Sequence, residues 1–270
     1  MKIAVFSDIH GNLPALEAVI EEINNSDVDQ IIVLGDLVTD FPQYTNDILD
    51  TIRSKTQNVI RGNREGYLIK ANNELWKKHK QFSTILNTYQ NLSKEDVLYL
   101  KALPRQISFT YDEKFSLRAV HGSPFSEFDT LYEEKTDLIN HSLNDLSENI
   151  LLCGHTHIPF VYSNNGKTLI NVGSIGMNFG REQSAQYTII QYEKDDIKID
   201  MRKVKYNYAD FKKSCDLDEP WTYLCLKSME DGKDYNMIFL KEAERRFGVW
   251  PIPNDNYYAL FQEWCEKGII

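Results

Sequence analysis

Short runs of apolar and β-branched residues recur from the first residues to about position 205. They alternate at first with segments whose apolar positions follow a helical period. Most runs end at glycine, asparagine, aspartate or serine, as strands do when they lead into turns. The runs predict strands at residues 2–7, 30–34, 58–61, 106–111, 117–121, 149–153, 160–162, 168–171, 185–192 and 197–205.

Helical periodicity fills several of the intervals between these runs. It predicts helices over residues 13–24, 43–54 and, with interruptions, about 65–103. Pro14 suits the first turn of its helix, where a missing N–H is not needed. Ser93 and Asp96 form a capping-box pattern that begins a short helix, and Pro104 ends it. Early helix–strand alternation followed by neighbouring strands favours a layered α/β sandwich with mixed sheets.

The composition changes beyond residue 205. The last 65 residues contain 13 aromatic side chains, against 12% aromatic residues in the whole chain. Helical patterns at 207–215, 237–247 and 257–267 predict a small helical cap. We therefore expect a main domain over 1–205 and an aromatic-rich extension over 206–270. Its aromatic residues either pack the cap against the domain or stack on an aromatic group of the substrate.

The net charge and the hydropathy of the chain argue against nucleic acids and membranes as its main partners. The chain carries a formal net charge of −10, so it lacks the basic footprint that a nucleic acid or an anionic membrane requires. No apolar run approaches the length of about 18 residues that a membrane span needs. The apolar N-terminal run is too short for a signal peptide, and we expect a cytoplasmic protein.

Polar motifs follow several of the predicted strands. Open α/β sheets place their sites beyond the carboxyl ends of the strands, so these motifs are expected to converge. Each motif alone is weak, but five in succession after apolar strands together indicate one site. The motifs are Ser7-Asp8-Ile9-His10-Gly11-Asn12, Leu34-Gly35-Asp36, Arg61-Gly62-Asn63-Arg64-Glu65, Val120-His121-Gly122 and Cys153-Gly154-His155-Thr156-His157.

The side chains in these motifs are carboxylate, amide and imidazole groups without a thiolate. That donor set suits two divalent ions, with manganese favoured and iron, zinc, cobalt or nickel as alternatives. Asp8 and His10 stand two residues apart at the end of a predicted strand, and an extended backbone would direct both side chains to the same side. His155 and His157 repeat the same spacing.

The order D-x-H-G, G-D, G-N, H-G, G-H-T-H resembles the calcineurin-like metallophosphoesterase superfamily over about residues 1–205. Within that superfamily the short spacings are similar to those of compact prokaryotic phosphodiesterases. The overall layout loosely resembles a bacterial subgroup with asymmetric diadenosine tetraphosphate hydrolase and phosphodiesterase activity. The resemblance implies a four-layer α/β/β/α sandwich.

The resemblance also implies the roles of individual residues. One ion would be held by Asp8, His10 and His157, and the other by Asn63, His121 and His155, with Asp36 bridging both. Catalysis would fall to Asp36, Asn63, Arg64 and His121. A hydroxide shared by the two ions would attack phosphorus directly, on a small, nucleotide-like phosphodiester or phosphoanhydride substrate.

Position 64 departs from the family pattern, in which a histidine commonly follows Gly-Asn and protonates the leaving group. Arg64 cannot donate a proton at neutral pH, but it can grip phosphate oxygens or form a structural ion pair with Glu65 or another acid. We therefore expect a preference for phosphoanhydrides or activated diesters.

Two alternatives to this function remain open. A protein serine/threonine phosphatase would carry an Arg-Gly step that is missing after Asp40, where Phe41 follows. A non-catalytic binding scaffold would be expected to lose metal ligands, whereas all seven positions hold competent residues.

Overall fold

The computed structural model describes residues 1–71, 74–194 and 196–270, over which nine strands and eleven α-helices form. The strands are β1 Lys2–Phe6, β2 Gln30–Val33, β3 Gln106–Thr110, β4 Ser116–Val120, β5 Ile150–Cys153, β6 Phe160–Asn164, β7 Lys167–Asn171, β8 Ser184–Glu193 and β9 Asp196–Lys205. The helices are α1 Leu13–Asn24, α2 Thr45–Lys55, α3 Asn63–Ile69, α4 Glu74–Lys77, α5 Ser83–Asn91, α6 Lys94–Ala102, α7 Thr136–Asn144, α8 Tyr208–Ser214, α9 Pro220–Asp231, α10 Tyr235–Phe247 and α11 Asn254–Glu266.

Both sheets are mixed, as the sequence predicts. The first has the order β2-β1-β8-β9, with β1 parallel to β2 and antiparallel to β8. The second has the order β3-β4-β5-β7-β6, with β5 parallel to both of its neighbours. Four of the motif-bearing loops follow the carboxyl ends of β1, β2, β4 and β5.

Alternation along β1 explains how the layers form. Ala4 and Phe6 lie in a cluster with the buried stripe of α1, whereas Ile3 and Val5 lie in a second cluster between the two sheets. The outer face of the second sheet packs on α7, through Leu151 and neighbouring apolar residues. Burial on both faces of each sheet gives the four-layer α/β/β/α sandwich.

The helix signals in the sequence are confirmed where they were strongest. Asn12 Oδ1 accepts the Ala15 N–H and caps α1. Ser93 Oγ accepts the Asp96 N–H over 3.0 Å, and Asp96 Oδ2 accepts the Ser93 N–H over 2.9 Å, so the predicted capping box begins α6. Residues 72 and 73 of the predicted helical region 65–103 lie outside the described residues; the described part contains α3 to α6 and a 3₁₀ turn at Lys80–Phe82.

The sequence prediction was wrong in three places. Residues 58–61 form no strand and make only a single parallel bridge, between Val59 and Val33, because the segment leaves the sheet edge after one pairing. The helices α7 and α9 were not predicted. The first is short and polar on its outer face, and the second mixes polar and apolar residues on every side because most of it is buried.

The C-terminal segment, residues 206–270, packs partly on the sandwich and partly on itself. Phe211, Trp221 and Met229 form a cluster with Phe41 and Met177 of the sandwich. A second cluster, around Phe239, Tyr257 and Trp264, lies within the segment. Much of its aromatic content thus serves packing, and the proposed boundary at residue 206 stays a prediction. None of the helices formed by the described residues is long and apolar enough to cross a bilayer.

Candidate metal centre

The side chains of the motif loops meet because the backbone turns abruptly after each strand. The strand β1 ends at Phe6, and Asp8 and His10 beyond it adopt φ values of 57° and 52°. Asp36, His155 and His157 are also left-handed, with φ between 52° and 65°. This conformation is costly for residues other than glycine and persists only where the surroundings enforce it, which is typical of functional sites.

Seven side chains that the sequence singled out converge at this edge of the two sheets. Asp8, His10 and His157 offer ligand atoms within 4.8 Å of one another, and Asp36, His121 and His155 form a second such group. Asn63 joins the second group, because its Oδ1 lies 2.9 Å from His121 Nε2. Each group could hold a metal ion.

Asp36 lies between the two groups. Its Oδ2 is 3.4 Å from His121 Nε2 and 3.8 Å from His10 Nε2, so one carboxylate oxygen faces both. Its Oδ1 accepts the backbone N–H of Arg64 over 2.8 Å, which fixes the carboxylate orientation. This is the geometry that a bridging ligand requires.

The hydrogen bonds of three imidazoles identify which ring nitrogen is free. Nδ1 of His121 lies 2.7 Å from the Leu34 carbonyl oxygen, and Nδ1 of His157 lies 2.7 Å from the Met177 carbonyl oxygen. A carbonyl only accepts, so these Nδ1 atoms carry hydrogens, and Nε2 of each ring is the atom that could bind an ion. His10 is held in the same way, with Nδ1 2.5 Å from Asp40 Oδ2.

Among the described residues, the polar atoms at the centre of the site face one another, and one of them has no hydrogen-bond partner. The Nε2 atoms of His10 and His157 are 3.1 Å apart, where two lone pairs repel unless a cation or proton lies between them. Asp8 Oδ2 accepts the His155 N–H, but the buried Asp8 Oδ1 accepts no hydrogen bond from any described residue. It lies 3.2 Å from His157 Nε2. Such a donor set fits divalent cations.

Without ions, the charges of the site compensate one another through protons. Burial opposes the charge on His10, but the Asp40 carboxylate outweighs it and raises the pKa of His10 to about 10. Burial likewise opposes the charge on His121, and Asp36 raises its pKa to about 9. Burial and the neighbouring His121 lower the pKa of His155 to about 4. The protonated rings of His10 and His121 thus supply positive charge that bound cations would otherwise supply.

A family model described as the calcineurin-like phosphoesterase superfamily domain matches residues 1–195. This chain belongs to the calcineurin-like phosphoesterase superfamily. The match covers the sandwich as far as the end of β8, and it includes all seven converging side chains.

Relatives of this phosphoesterase are found by sequence and by fold. The uncharacterized protein MJ0912 of Methanocaldococcus jannaschii is 30% identical, over 76% of this chain and 88% of that protein. The crystal structure of a metallophosphoesterase from Sphaerobacter thermophilus covers 86% of this chain and all of its own, with a TM-score of 0.69 and 24% identity. The hypothetical protein PH1004 from Pyrococcus horikoshii covers 86% of this chain and 99% of its own, with a TM-score of 0.72 and 24% identity. These structural likenesses show the fold.

Two acidic residues of the phosphoesterase site were not predicted as functional. Glu65 is fully buried and accepts the backbone N–H groups of Asp36, Leu37 and Gly62 over 2.8–2.9 Å. It therefore joins the loops after β2 and at the start of α3. Burial and the nearby Asp36 raise the pKa of Glu65.

Asp40, also fully buried, is the second of these residues. It contacts His10 through Oδ2, and its Oδ1 lies 3.2 Å from Arg64 Nη2 and accepts the Trp221 Nε1–H. Burial disfavours the charge of Asp40, yet the Arg64 guanidinium and His10 hold its pKa well below the usual range. The sequence left open whether Arg64 pairs with an acid or faces phosphate. The ion pair exists, with Asp40 and not with Glu65, and Arg64 also lines the adjacent cavity.

A cavity of about 570 Å³ opens above the metal centre. His10, Asp36, Asn63, His155 and His157 form its floor. Its walls come from four parts of the chain: α3, the segment between β4 and α7, the segment between β7 and β8, and the C-terminal segment. The converging side chains are thus accessible to a ligand that enters between the sandwich and the C-terminal segment.

Proposed function

We propose that this chain is a metal-dependent phosphohydrolase with two metal ions, acting on phosphodiester or phosphoanhydride bonds of a nucleotide-type substrate. One observation carries the proposal: two groups of buried imidazole and carboxylate atoms face a common centre, and Asp8 Oδ1 in that centre has no partner among the described residues. Family membership supports the same chemistry.

In this proposal Asp8, His10 and His157 hold one ion, while Asn63, His121 and His155 hold the other. Asp36 is shared, since its Oδ2 faces both groups. Two divalent ions bound there would neutralise charge on the phosphoryl oxygens and lower the pKa of water that attacks phosphorus. We expect manganese to serve, with iron, zinc, cobalt and nickel as alternatives.

Arg64 would bind a phosphoryl oxygen. Its Nη2 pairs with Asp40, while its buried Nε has no hydrogen-bond partner among the described residues. Burial opposes its ionisation, but Asp40 raises the pKa of Arg64 further above its ordinary value, so it stays a cation and never supplies a proton. A leaving group that departs as a stable anion needs no proton. We therefore propose that phosphoanhydrides and activated diesters react faster than alkyl monoesters.

The buried Phe41 occupies the place of the Arg-Gly step that a protein serine/threonine phosphatase would carry. It is fully buried and its ring contacts Phe211 of α8 at 4.9 Å between centroids. An apolar ring in that position offers no phosphate clamp. The smaller, activated esters are therefore the better candidates.

The test is a manganese-supplemented panel of an aryl monoester, an aryl diester, a cyclic nucleotide, an alkyl monoester and diadenosine tetraphosphate. We expect turnover of the diester and of the anhydride, and its loss in Asp36→Asn and Asn63→Ala. Asp50→Asn on α2, whose side chain is 78% exposed, is the matched control and should keep full activity. Absence of metal-dependent turnover on the whole panel would overturn the proposal and favour a binding scaffold. Faster turnover of the alkyl monoester would overturn the leaving-group preference alone.

A further inference from the structure

The rim of the cavity above the metal centre is unusually apolar for an exposed surface. Phe128, Met237 and Ile238 line it, although each is 45–48% exposed. They come from two distant parts of the chain, the segment between β4 and α7 and the first turn of α10. Large apolar side chains gathered at the mouth of a polar site are typical of ligand-binding surfaces.

The helix α10 has one face that packs within the C-terminal segment and another that lines the rim of the cavity. Tyr235, Phe239 and Ala243 are buried in the cluster within the C-terminal segment. Met237 stands about 200° around the helix from Phe239, and therefore points away from that cluster. Lys241 follows Met237 by four residues and Ile238 by three, so these side chains share one face of the helix.

An aromatic wall continues the rim toward the metal centre. The ring of Phe128 contacts that of Tyr67 at 5.8 Å between centroids, and Tyr67 lies one turn after Arg64 on α3. Phe179 contacts His157 at 5.0 Å and also lines the cavity. A flat apolar group bonded to a phosphate above the metal centre would meet these rings.

Cationic side chains outnumber carboxylates on the cavity wall, where Arg64, Lys135 and Lys241 stand against Asp234, in a chain whose net charge is −10. Lys135 donates to Thr130 Oγ1 over 2.8 Å and lies over the Tyr132 ring. Lys241 makes no ion pair with any described residue. The wall also holds one carboxylate, Asp234, whose Oδ1 accepts the Met237 N–H and caps α10. Lys241 thus presents an exposed ammonium group beyond the apolar rim.

We propose that this rim selects the organic part of the substrate. Phe128, Met237 and Ile238 hold a flat apolar group attached to the scissile phosphate, and Lys241 binds a second negative charge on the same molecule. The substrate class is therefore an organic phosphate with an aromatic group and at least one additional phosphate. This inference rests on the proposed function for the position of the scissile phosphate. The cavity volume of about 570 Å³ falls within the range that encloses small organic ligands, about 300–1,000 Å³.

The experiment compares the binding of three probes to the manganese-loaded full chain by calorimetry at equal free manganese. Ribose 5-phosphate has neither feature, adenosine monophosphate adds the flat group, and adenosine 5′-(α,β-methylene)diphosphate adds the second phosphate without a hydrolysable anhydride. We expect adenosine monophosphate to bind at least tenfold tighter than ribose 5-phosphate, and the methylene diphosphate at least fivefold tighter than the monophosphate.

Each half of the proposal has its own variant. Phe128→Ala should bring the first ratio below threefold and leave ribose 5-phosphate binding unchanged. Lys241→Gln should reduce the second ratio and leave the first unchanged. Leu98→Ala, at a side chain 64% exposed on α6, and Lys101→Gln on the same helix are the matched controls. All four side chains are exposed, so thermal melting should show intact folding.

The outcomes separate this inference from the proposed function. Unchanged ratios in Phe128→Ala and Lys241→Gln, in a protein that hydrolyses the aryl diester, would overturn the rim as the specificity site. A protein that shows both ratios and their loss in the variants, but no hydrolysis, would retain the rim and lose the catalytic proposal.

Discussion

Trp221 Nε1 donates a hydrogen bond of 2.5 Å to Asp40 Oδ1, although 181 residues separate them in the sequence. Trp221 lies in the first turn of α9, and its ring is also 5.6 Å from the Arg64 guanidinium. The opposite oxygen of Asp40 holds His10. Through one buried carboxylate, the C-terminal segment therefore orients both a candidate metal ligand and the residue proposed to bind phosphate.

Replacing Trp221 by phenylalanine tests this connection. Trp221→Phe keeps an aromatic ring but removes the N–H, so Asp40 loses a donor and Arg64 and His10 lose orientation. We expect kcat/KM for the aryl diester to fall about tenfold, because a hydrogen bond to a charged group contributes about 1.5–3 kcal/mol. Trp264→Phe loses the same atoms in a cluster distant from the site, and should change activity less than twofold. Equal losses in both variants would contradict the connection.

Asp40→Asn tests whether the carboxylate supports metal binding. Asp40 Oδ2 faces His10 and the Thr39 hydroxyl, and Oδ1 faces Arg64 and the Trp221 N–H, so an amide in either orientation turns its NH2 group toward groups that donate to the carboxylate. Losing such an outer partner of a metal-ligating histidine typically costs 10–100-fold in metal affinity. We expect a weakening of about that size in calorimetric manganese titrations. The exposed Asp50→Asn serves as the control, and an affinity within twofold of wild type in Asp40→Asn would contradict the prediction.

The sequence predicted that the seven side chains converge, but the reason stated for Asp8 and His10, and extended to His155 and His157, was wrong. Alternation in an extended strand was expected to direct Asp8 and His10 to the same side. In the structure the strand has already ended at Phe6, and both residues are left-handed. Their ring and carboxylate atoms still approach to 3.6 Å. A residue pattern reveals which chemistry is present, whereas strained backbone is held by packing that only the folded chain supplies.

The four layers were predictable because alternation and helical period are local signals. The link from Trp221 to Asp40 was not, since no spacing rule connects positions 181 residues apart. One weaker signal for Asp40 existed. It is a carboxylate among the apolar residues Leu37, Val38 and Phe41, a pattern that predicts burial. An acid in such a run needs a partner in the core.

Metal binding should release protons. In the metal-free protein the pKa values of His10 and His121 are raised to about 10 and about 9, so both rings are doubly protonated at pH 7. An ion needs the Nε2 lone pair, and each ring must lose one proton to bind. We expect about two protons released per protein at pH 7 and tighter binding as the pH rises. Manganese titrations in buffers of different ionisation enthalpy measure the number, and a heat independent of the buffer would contradict it.

Glu148 gives a separate prediction for acid stability. It accepts hydrogen bonds from Ser108 Oγ over 2.5 Å and from Arg118 Nη2 over 2.9 Å, which ties β3 and β4 to the start of β5. Burial opposes its charge, but these two donors lower its pKa from 4.5 to about 2. The lowered pKa means that its stabilisation is complete above pH 4.5 and is lost as the pH falls toward 2.

The variant Glu148→Gln should therefore lower the free energy of unfolding by about 1–3 kcal/mol at pH 7. The difference from wild type should shrink at pH 3, because the unfolded wild-type chain then binds a proton at Glu148, whereas the folded protein, with its lowered pKa, largely does not. Urea unfolding at both pH values measures the two differences, with Glu244→Gln on the exposed face of α10 as the control. A difference that stays constant between pH 7 and pH 3 would rule out the ionised Glu148 as its source.

Gly62, just before α3, and Gly66, within α3, allow the requirements of the metal site and of the fold to be tested separately. Gly62 has an ordinary extended backbone, but an added Cβ would collide with Asp36 Oδ1 and lie 2.6 Å from the Asp36 nitrogen. Gly66 lies within α3, where a Cβ would meet nothing closer than Glu127 Oε1 at 3.7 Å.

We expect Gly62→Ala to lose manganese binding and hydrolysis because the carboxylate shared by both groups must move. Gly66→Ala should retain both and gain up to about 1 kcal/mol in stability, as alanine favours helix. Calorimetry, aryl diester turnover and urea unfolding distinguish the two variants, and retained metal binding in Gly62→Ala would show that the position of Asp36 is not critical.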